Sequence, residues 1–274
     1  MPMPNFAILL PPAEGKQEGG NPFAPDMFDY RSSSTFNYFK ELNPERRALI
    51  QALQKTIQES DRETLEKIFG VKGEHLEEAI RVNLNIFNAP LMSALDRYSP
   101  GVMYKAMDFP GLPTGAQRRL LEQGIIFSGL FGLLRPDDLI PNYRLRMDAV
   151  LPGVGKVSHY WRPHLSKVLN EQLEGAFVWN LLPGVHQEAW EDAHTYAEMV
   201  MVKFFIEKDG VRKAVSHGVK PLRGRLVNFI VRETLEDLEP LLTWEHPDGY
   251  RYDEAASTFD PETKIRTLAM VKKA

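Results

Sequence analysis

The spacing of apolar and polar positions divides the chain into short elements of two kinds. NFAILL, residues 5–10, is a continuous apolar run closed by Pro11-Pro12, which predicts a buried strand followed by a loop. That loop, PPAEGKQEGGNPFAPD, is polar and rich in Pro and Gly. Residues 35–60 are predicted helical, with Pro44 near a helix start and Leu49, Ile50, Leu53 and Ile57 at helical spacing. Two short amphipathic helices with acidic outer faces follow at 61–69 and 73–81, and another at 114–123 opens on Thr114. GIIFSGLFGLL, residues 124–134, reads as a buried strand whose three glycines admit close packing. In RPDDLIPNYRLRMD, residues 135–148, Arg144 and Arg146 alternate with Leu145 and Met147, the pattern of an edge or surface strand.

The second half alternates in the same way. Residues 156–174 are predicted helical, 177–183 a strand, and HQEAWEDA a helical turn. Residues 199–216 form a hairpin turning at Asp209-Gly210, a dipeptide suited to the two positive φ angles of a tight β-turn. A helix over 224–235 and a closing strand, TLAMVKK, complete the series. Helices alternating with strands, plus an antiparallel hairpin, predict an α/β or α+β fold. The expected form is one compact domain over 1–274 with a mixed sheet surrounded by helices.

Composition narrows the chemistry. The chain has 43% hydrophobic and 26% charged residues, the balance of a globular protein rather than a disordered or fibrous one. With no cysteine, disulfides, thiolate metal sites, iron–sulfur clusters and cysteine nucleophiles are excluded. No apolar run approaches the ~18 residues of a membrane span, and Met1–Leu10 lacks the pattern of a secretory leader, so no membrane association is expected. The net charge of -4 hides an asymmetry. Residues 203–232 carry eight Lys/Arg against two acids, and 233–262 carry ten acids against one Arg. Either the first segment faces a polyanion, or the two neutralise one another on the surface.

LPGVGK, residues 151–156, invites three readings. A phosphate-binding P-loop needs a Gly where Val150 stands and a Ser or Thr where Val157 stands, so that reading fails. AEGKQ, 13–17, fails at Gln17 for the same reason. A helix-hairpin-helix fits locally, with Gly153 and Gly155 offering backbone N–H groups to a DNA phosphate and Lys156 adding charge. The segment before it alternates like a strand, so a glycine turn that starts a helix stays open as the alternative. FPGLPTGAQRRL, 109–120, is a second partial match, also without a clear preceding helix. His159, His164, His186 and His194 lack metal-ligand spacing and read as packing or surface residues, so neither metal nor cofactor is expected. The feature that stands out is a set of cations beside glycine or aromatic residues: Lys16, Arg135, Arg144, Arg146, Lys220, Arg223 and Arg225. Arginine's fork matches phosphate oxygens, and glycine lets the backbone approach them.

Several stretches resemble one family. LLPPAEGK (9–16), FSGLFGLLRPDDLIPNYRLRM (127–147), VWNLLP (178–183), SHGVKPLRGRLVNFIV (216–231) and DGYRYDEAAS (248–257) are similar, in the same order, to the peroxide-stress protein YaaA family. The resemblance implies a bacterial, cytoplasmic protein that limits free iron under peroxide and binds DNA through a basic cleft and a helix-hairpin-helix-like element. Lys16, Arg135, Tyr143, Arg144, Asn180, Lys220, Arg223 and Gly224 match the family's pattern. Two expectations follow. In the first, Lys16, Arg135, Arg144, Lys156, Lys220, Arg223 and Arg225 grip the backbone of duplex or gapped DNA while Tyr143 and Trp161 stack on an exposed base. In the second, the same cations hold a small phosphorylated or nucleotide-like substrate, with Glu14, Lys16 and Asn180 after apolar strands and Lys16 as base or nucleophile.

Overall fold

A computed structural model describes residues 6–22, 38–233 and 237–273. Asn5, the part of the first loop and of the expected 35–60 helix that falls in 23–37, and the end of the 224–235 helix lie outside the described residues. The chain begins β1 (Phe6–Leu10), α1 (Asn43–Glu59), α2 (Arg62–Phe69), α3 (Glu74–Leu84), β2 (Met92–Ser93), α4 (Ala94–Arg97) and α5 (Val102–Met107). It continues α6 (Thr114–Gln123), β3 (Gly124–Ser128), β4 (Gly132–Leu134), β5 (Leu139–Ile140), β6 (Val150–Leu151), β7 (Gly155–Lys156) and α7 (Val157–Gln172). The last elements are β8 (Phe177–Asn180), α8 (Gly184–Gln187), β9 (Glu198–Lys208), β10 (Val211–Ala214), α9 (Val219–Glu233), α10 (Glu239–Thr243), β11 (Arg251–Asp260) and β12 (Ile265–Lys273).

Local chemistry accounts for most boundaries. Pro44 sits in the first turn of α1, where its missing N–H costs nothing, and Leu49, Ile50, Leu53 and Ile57 are its buried face. The Asp61 side chain accepts from the Thr64 N–H to cap α2, which ends on Gly70 in the left-handed region. Asp209 and Gly210, both at positive φ, reverse the chain between β9 and β10.

The main sheet runs β11-β12-β9-β8-β1-β3-β4, with β10 also paired to β9. β3, β1, β8, β9 and β12 are mutually parallel, and the outer partners β4 and β11 are antiparallel. Ile8, Leu9, Ile125, Ile126, Val178 and Trp179 in the central strands are fully buried, as a parallel sheet covered on both faces requires. From β1 the chain moves to β3 on one side, and from β8 it moves to β9 on the other. The order therefore reverses between β1 and β8, and the crevice beyond their carboxyl ends is where open α/β sheets place ligands.

Four sequence expectations change. Residues 124–134 are two strands rather than one: Gly132, at φ 70°, turns the chain so that Ile126 pairs with Leu134. A side chain at Gly129 would lie 2.5 Å from the Leu145 carbonyl oxygen, so the turn packs directly on the following segment. Residues 143–148 alternate buried and half-buried as expected, but join no ladder. The buried Asn83 side chain serves as the neighbouring strand instead, donating to the Arg144 carbonyl (2.8 Å) and accepting from the Arg144 N–H (3.0 Å). The 150–156 stretch is a small β-hairpin, β6 with β7, and the chain before it is extended, so no helix precedes this glycine turn. Helices do flank the other match: α5 and α6 stand on either side of a 3-10 turn at Phe109–Gly111.

The contact of α5 with α9 leaves no room for a side chain. A Cβ on Gly224 would sit 2.2 Å from the Met103 carbonyl oxygen. Gly224→Ala is expected to cost about 2–3 kcal/mol by overpacking and to lower the melting temperature by roughly 5–10 °C in calorimetry. An unchanged melting temperature would contradict this packing. Asn83→Ala leaves two buried backbone groups of Arg144 unpaired and is expected to cost about 2–4 kcal/mol in denaturant unfolding. A cost of only the lost side-chain volume would show that water replaces the amide.

Candidate functional site

Beyond the carboxyl ends of β1 and β8 lies a recess of about 550 Å³. Its walls come from four places: the loop after β1, the start of α5, the extended 143–148 segment, and the turn into α8 together with the start of α9. Apolar groups, among them Pro11, Val102, Met103, Leu145 and Val219, form much of the lining. Lys16, Arg144, Arg146, Lys220 and Arg223 bring five cations to it, while Glu14 and Asp148 supply two carboxylates. Three segments far apart in the chain thus converge on one space of nucleotide size.

The loop carrying Lys16 is held by a buried arginine. Arg97, fully buried at the end of α4, donates to the carbonyls of Gln17, Gly19 (3.0 Å), Pro90 (3.2 Å) and Ile140 (3.3 Å). The Gln17 N–H returns a bond to the Arg97 carbonyl (2.7 Å), and the Tyr104 hydroxyl donates to that of Pro11 (2.8 Å). So anchored, the Lys16 ammonium donates to the carbonyls of Ala13 (3.2 Å) and Glu14 (3.4 Å) and lies 4.3 Å from the centre of the Tyr143 ring. The residue as a whole is half-buried, open on its recess side, but its ammonium is desolvated. That desolvation, with a further push from Arg144 and a smaller one from Arg97 against a partial offset by Glu14, lowers its pKa to about 7.

Below Lys16 runs a chain of hydroxyls. Tyr143 is bonded to Tyr98 (2.6 Å) and to Ser128 (2.8 Å), and the Ser128 oxygen accepts from the Phe131 N–H (3.0 Å). Burial raises the Tyr143 hydroxyl to about 12 and Tyr98 well above the usual phenol range, so both stay neutral. Arg144 donates through Nε to the Phe69 carbonyl (3.2 Å), and its Nη2 is 4.0 Å from Glu14. Arg146 is held by both oxygens of Asp148, whose carboxyl lies below its usual range through that hydrogen bond. His186 lines the recess as a neutral ring: desolvation lowers its pKa to about 4 against the opposing pull of Asp148. Lys220 and Arg223 stand three apart on the first turns of α9, so both face the same way, and neither has a carboxylate partner among the described residues. Lys220 is exposed, and desolvation lowers the pKa of the half-buried Arg223.

The remaining expected site residues lie elsewhere. Arg135 donates to the carbonyls of Glu122 (3.0 Å) and Gly124 (3.2 Å) and covers the Phe39 ring, bracing the α6–β3 junction. Lys156 pairs with Glu188, and Arg225 with Asp248 at 2.7 Å. Asn180 is buried, accepting from the Leu182 N–H (3.0 Å), and shapes the turn that delivers Pro183 to the recess. Gly153 and Gly155, at positive φ, sit at the exposed tip of the β6–β7 hairpin and do not line it. Tyr143 and Trp161 are not free to stack on a base. Tyr143 is 2% exposed, and the fully buried Trp161 donates to the Gly129 carbonyl (2.8 Å). The acidic segment partly neutralises the basic one, since Asp248 takes Arg225 and Asp253 takes Arg212. Arg97, Tyr98 and Tyr104 carry no helical or strand signal in LDRYSPGVMYKAM that distinguishes them, and His186 differs from the other histidines only in its place after β8.

Residues 6–256 match the family model described as peroxide stress protein YaaA. An uncharacterized protein of Campylobacter jejuni is 28% identical over 237 residues, covering 86% of this chain and 88% of that protein. A UPF0246 protein of Streptomyces coelicolor is 31% identical over 227 residues, 82% of each chain. One from Flavobacterium johnsoniae is 32% identical over 157 residues, 56% of this chain and 62% of its own. The family match takes in every segment that lines the recess, from Lys16 to Arg223, and the chain belongs to the peroxide stress protein YaaA family.

Proposed function

We propose that the protein acts in the peroxide-stress response by holding a phosphorylated, nucleotide-scale group in the recess beyond β1 and β8. Family membership supports the role in peroxide stress. The observation that carries the ligand class is the meeting of Lys16, Arg144, Lys220 and Arg223 on a recess of about 550 Å³ with apolar walls. Among the described residues Lys220 and Arg223 have no carboxylate partner, so an incoming anion displaces none of these in reaching them. The N-terminus of α9, which carries both, adds its partial positive charge. The apolar walls suit the face of a base or sugar, and no duplex enters a space of this size.

DNA remains a second reading, favoured by the exposed Lys220 at the rim. In that reading a gapped or distorted strand lays its backbone on the rim and delivers one unstacked nucleotide inward. The α5–turn–α6 unit is then the place for the helix-hairpin-helix-like element, since Pro110, Gly111 and Gly115 at its tip are exposed.

Fluorescence anisotropy with gapped and intact duplexes, competed by a nucleoside monophosphate and repeated over a salt series, tests both readings. The monophosphate is expected to compete, and gapped DNA to bind more tightly than intact duplex if DNA is the natural ligand. With two to three phosphates neutralised, the slope of log K on log salt is expected near -2 to -3, at about 0.9 per phosphate. Arg223→Gln is expected to weaken binding by roughly tenfold, the worth of a charge-assisted hydrogen bond. Arg225→Gln, whose guanidinium already serves Asp248, is expected to change it less than about twofold. Salt-independent binding, or equal losses from the two variants, would contradict the assignment.

A further inference from the structure

We infer that Lys16 is a nucleophilic amine that forms an imine with a phosphorylated aldehyde, the recess supplying the phosphate site and Lys16 the reacting nitrogen. The inference rests on the phosphate-holding reading above and adds the reaction. Its basis is geometric. The Lys16 amine projects into the recess from a loop fixed by Arg97, and no carboxylate oxygen is within hydrogen-bonding distance of it among the described residues. Among the described residues its hydrogen-bond partners are two backbone carbonyls, at 3.2 and 3.4 Å, weak enough to release the nitrogen to an incoming carbon. A lysine meant only to bind an anion keeps its charge, whereas this one is crowded by Arg144 and Arg97 and desolvated against Tyr143. About half of it is therefore neutral near pH 7 in the free protein, and imine formation draws on the fraction that stays neutral once the phosphate is bound.

The step balances without a co-reactant. The neutral Lys16 nitrogen adds its lone pair to the aldehyde carbon, the carbonyl oxygen takes up the proton released by nitrogen, and the carbinolamine loses water to leave the C=N bond. One aldehyde and one amine give one imine and one water, and nothing is oxidised or reduced. Arg144 and Arg223 hold the phosphate while this occurs, and the neutral Tyr143 hydroxyl network beneath Lys16 offers no competing charge. The aldehyde can reach the site free, as a sugar phosphate, or within a strand, as an abasic deoxyribose flanked by phosphates.

Reductive trapping on the full chain tests this. Pyridoxal 5′-phosphate is incubated with the protein, reduced with borohydride, and the modified lysine located by peptide mass spectrometry. Lys16 is expected to be labelled ahead of every other lysine, and Lys16→Met and Lys16→Arg are expected to lose that adduct while keeping the wild-type melting temperature. Pyridoxal without phosphate is expected to label Lys16 roughly tenfold less, a preference that Arg223→Gln removes. The trapping rate is expected to rise through pH 7 as the amine loses its proton. Parallel arms with ribose 5-phosphate and with an oligonucleotide bearing one abasic site distinguish the sources: trapping of either supports the inference, and whichever traps faster names the carrier. Labelling spread over the surface lysines without preference for Lys16 overturns it. If a nucleoside monophosphate binds by calorimetry yet no Lys16 adduct forms with any aldehyde, the imine step falls and the phosphate-holding reading stands. If the monophosphate does not bind either, both fall.

Discussion

The site depends on a buried guanidinium that has no carboxylate partner among the described residues. Arg97 is fully buried, and its charge is met by four backbone carbonyls from three separate segments. Removing an arginine from water is costly unless its donors are met; Nη1 and Nη2 find these carbonyls, while Nε is buried without a partner among the described residues, so the segments that supply the carbonyls are fixed to one another by the need to satisfy the charge. Two of them, Gln17 and Gly19, belong to the loop after β1. The irregular, Pro- and Gly-rich stretch over residues 11–22 is thereby given one conformation, and Lys16 one position.

The consequences are electrostatic. A carboxylate in place of those carbonyls would have cancelled the charge of Arg97. Carbonyl dipoles solvate it without cancelling it, and the positive potential persists at Lys16. Arg144 adds to it from a segment that is extended without belonging to a sheet, because Asn83 occupies the place of a neighbouring strand. The close contact of Gly224 with α5 then brings the first turns of α9, with Lys220 and Arg223, to the opposite wall. Each device is a packing or hydrogen-bond constraint, and together they concentrate positive charge at the switch point of the sheet. That is where the strand order already opens a crevice.

Much of this was legible in the chain. Continuous apolar runs identified β1 and β8, helical spacing identified α1, α7 and α9, and Asp209-Gly210 identified the β9–β10 turn. Cations beside glycines singled out Lys16, Arg144, Lys220 and Arg223. The same criterion also selected Arg135, Lys156 and Arg225, because sequence shows that a cation is present and not what neutralises it. Glu188 and Asp248, which take Lys156 and Arg225, are 32 and 23 positions away. β11 went unseen because none of its side chains is buried, so no apolar alternation marks it. Arg97 went unseen for a different reason: its partners are carbonyls, which every residue has.

The central claim is that the fold holds Lys16 in an unbalanced positive field that a bound phosphate relieves. The most direct measurement is an NMR titration of the Lys16 side chain in protein labelled with carbon-13 at lysine Cε, assigned by Lys16→Met, with and without inorganic phosphate. A midpoint near 7 is expected for the free protein, because desolvation and Arg144 disfavour the charged form. A higher midpoint is expected with phosphate, whose negative charge favours the ammonium. A midpoint in the ordinary lysine range, near 10.4, unmoved by phosphate, would contradict it.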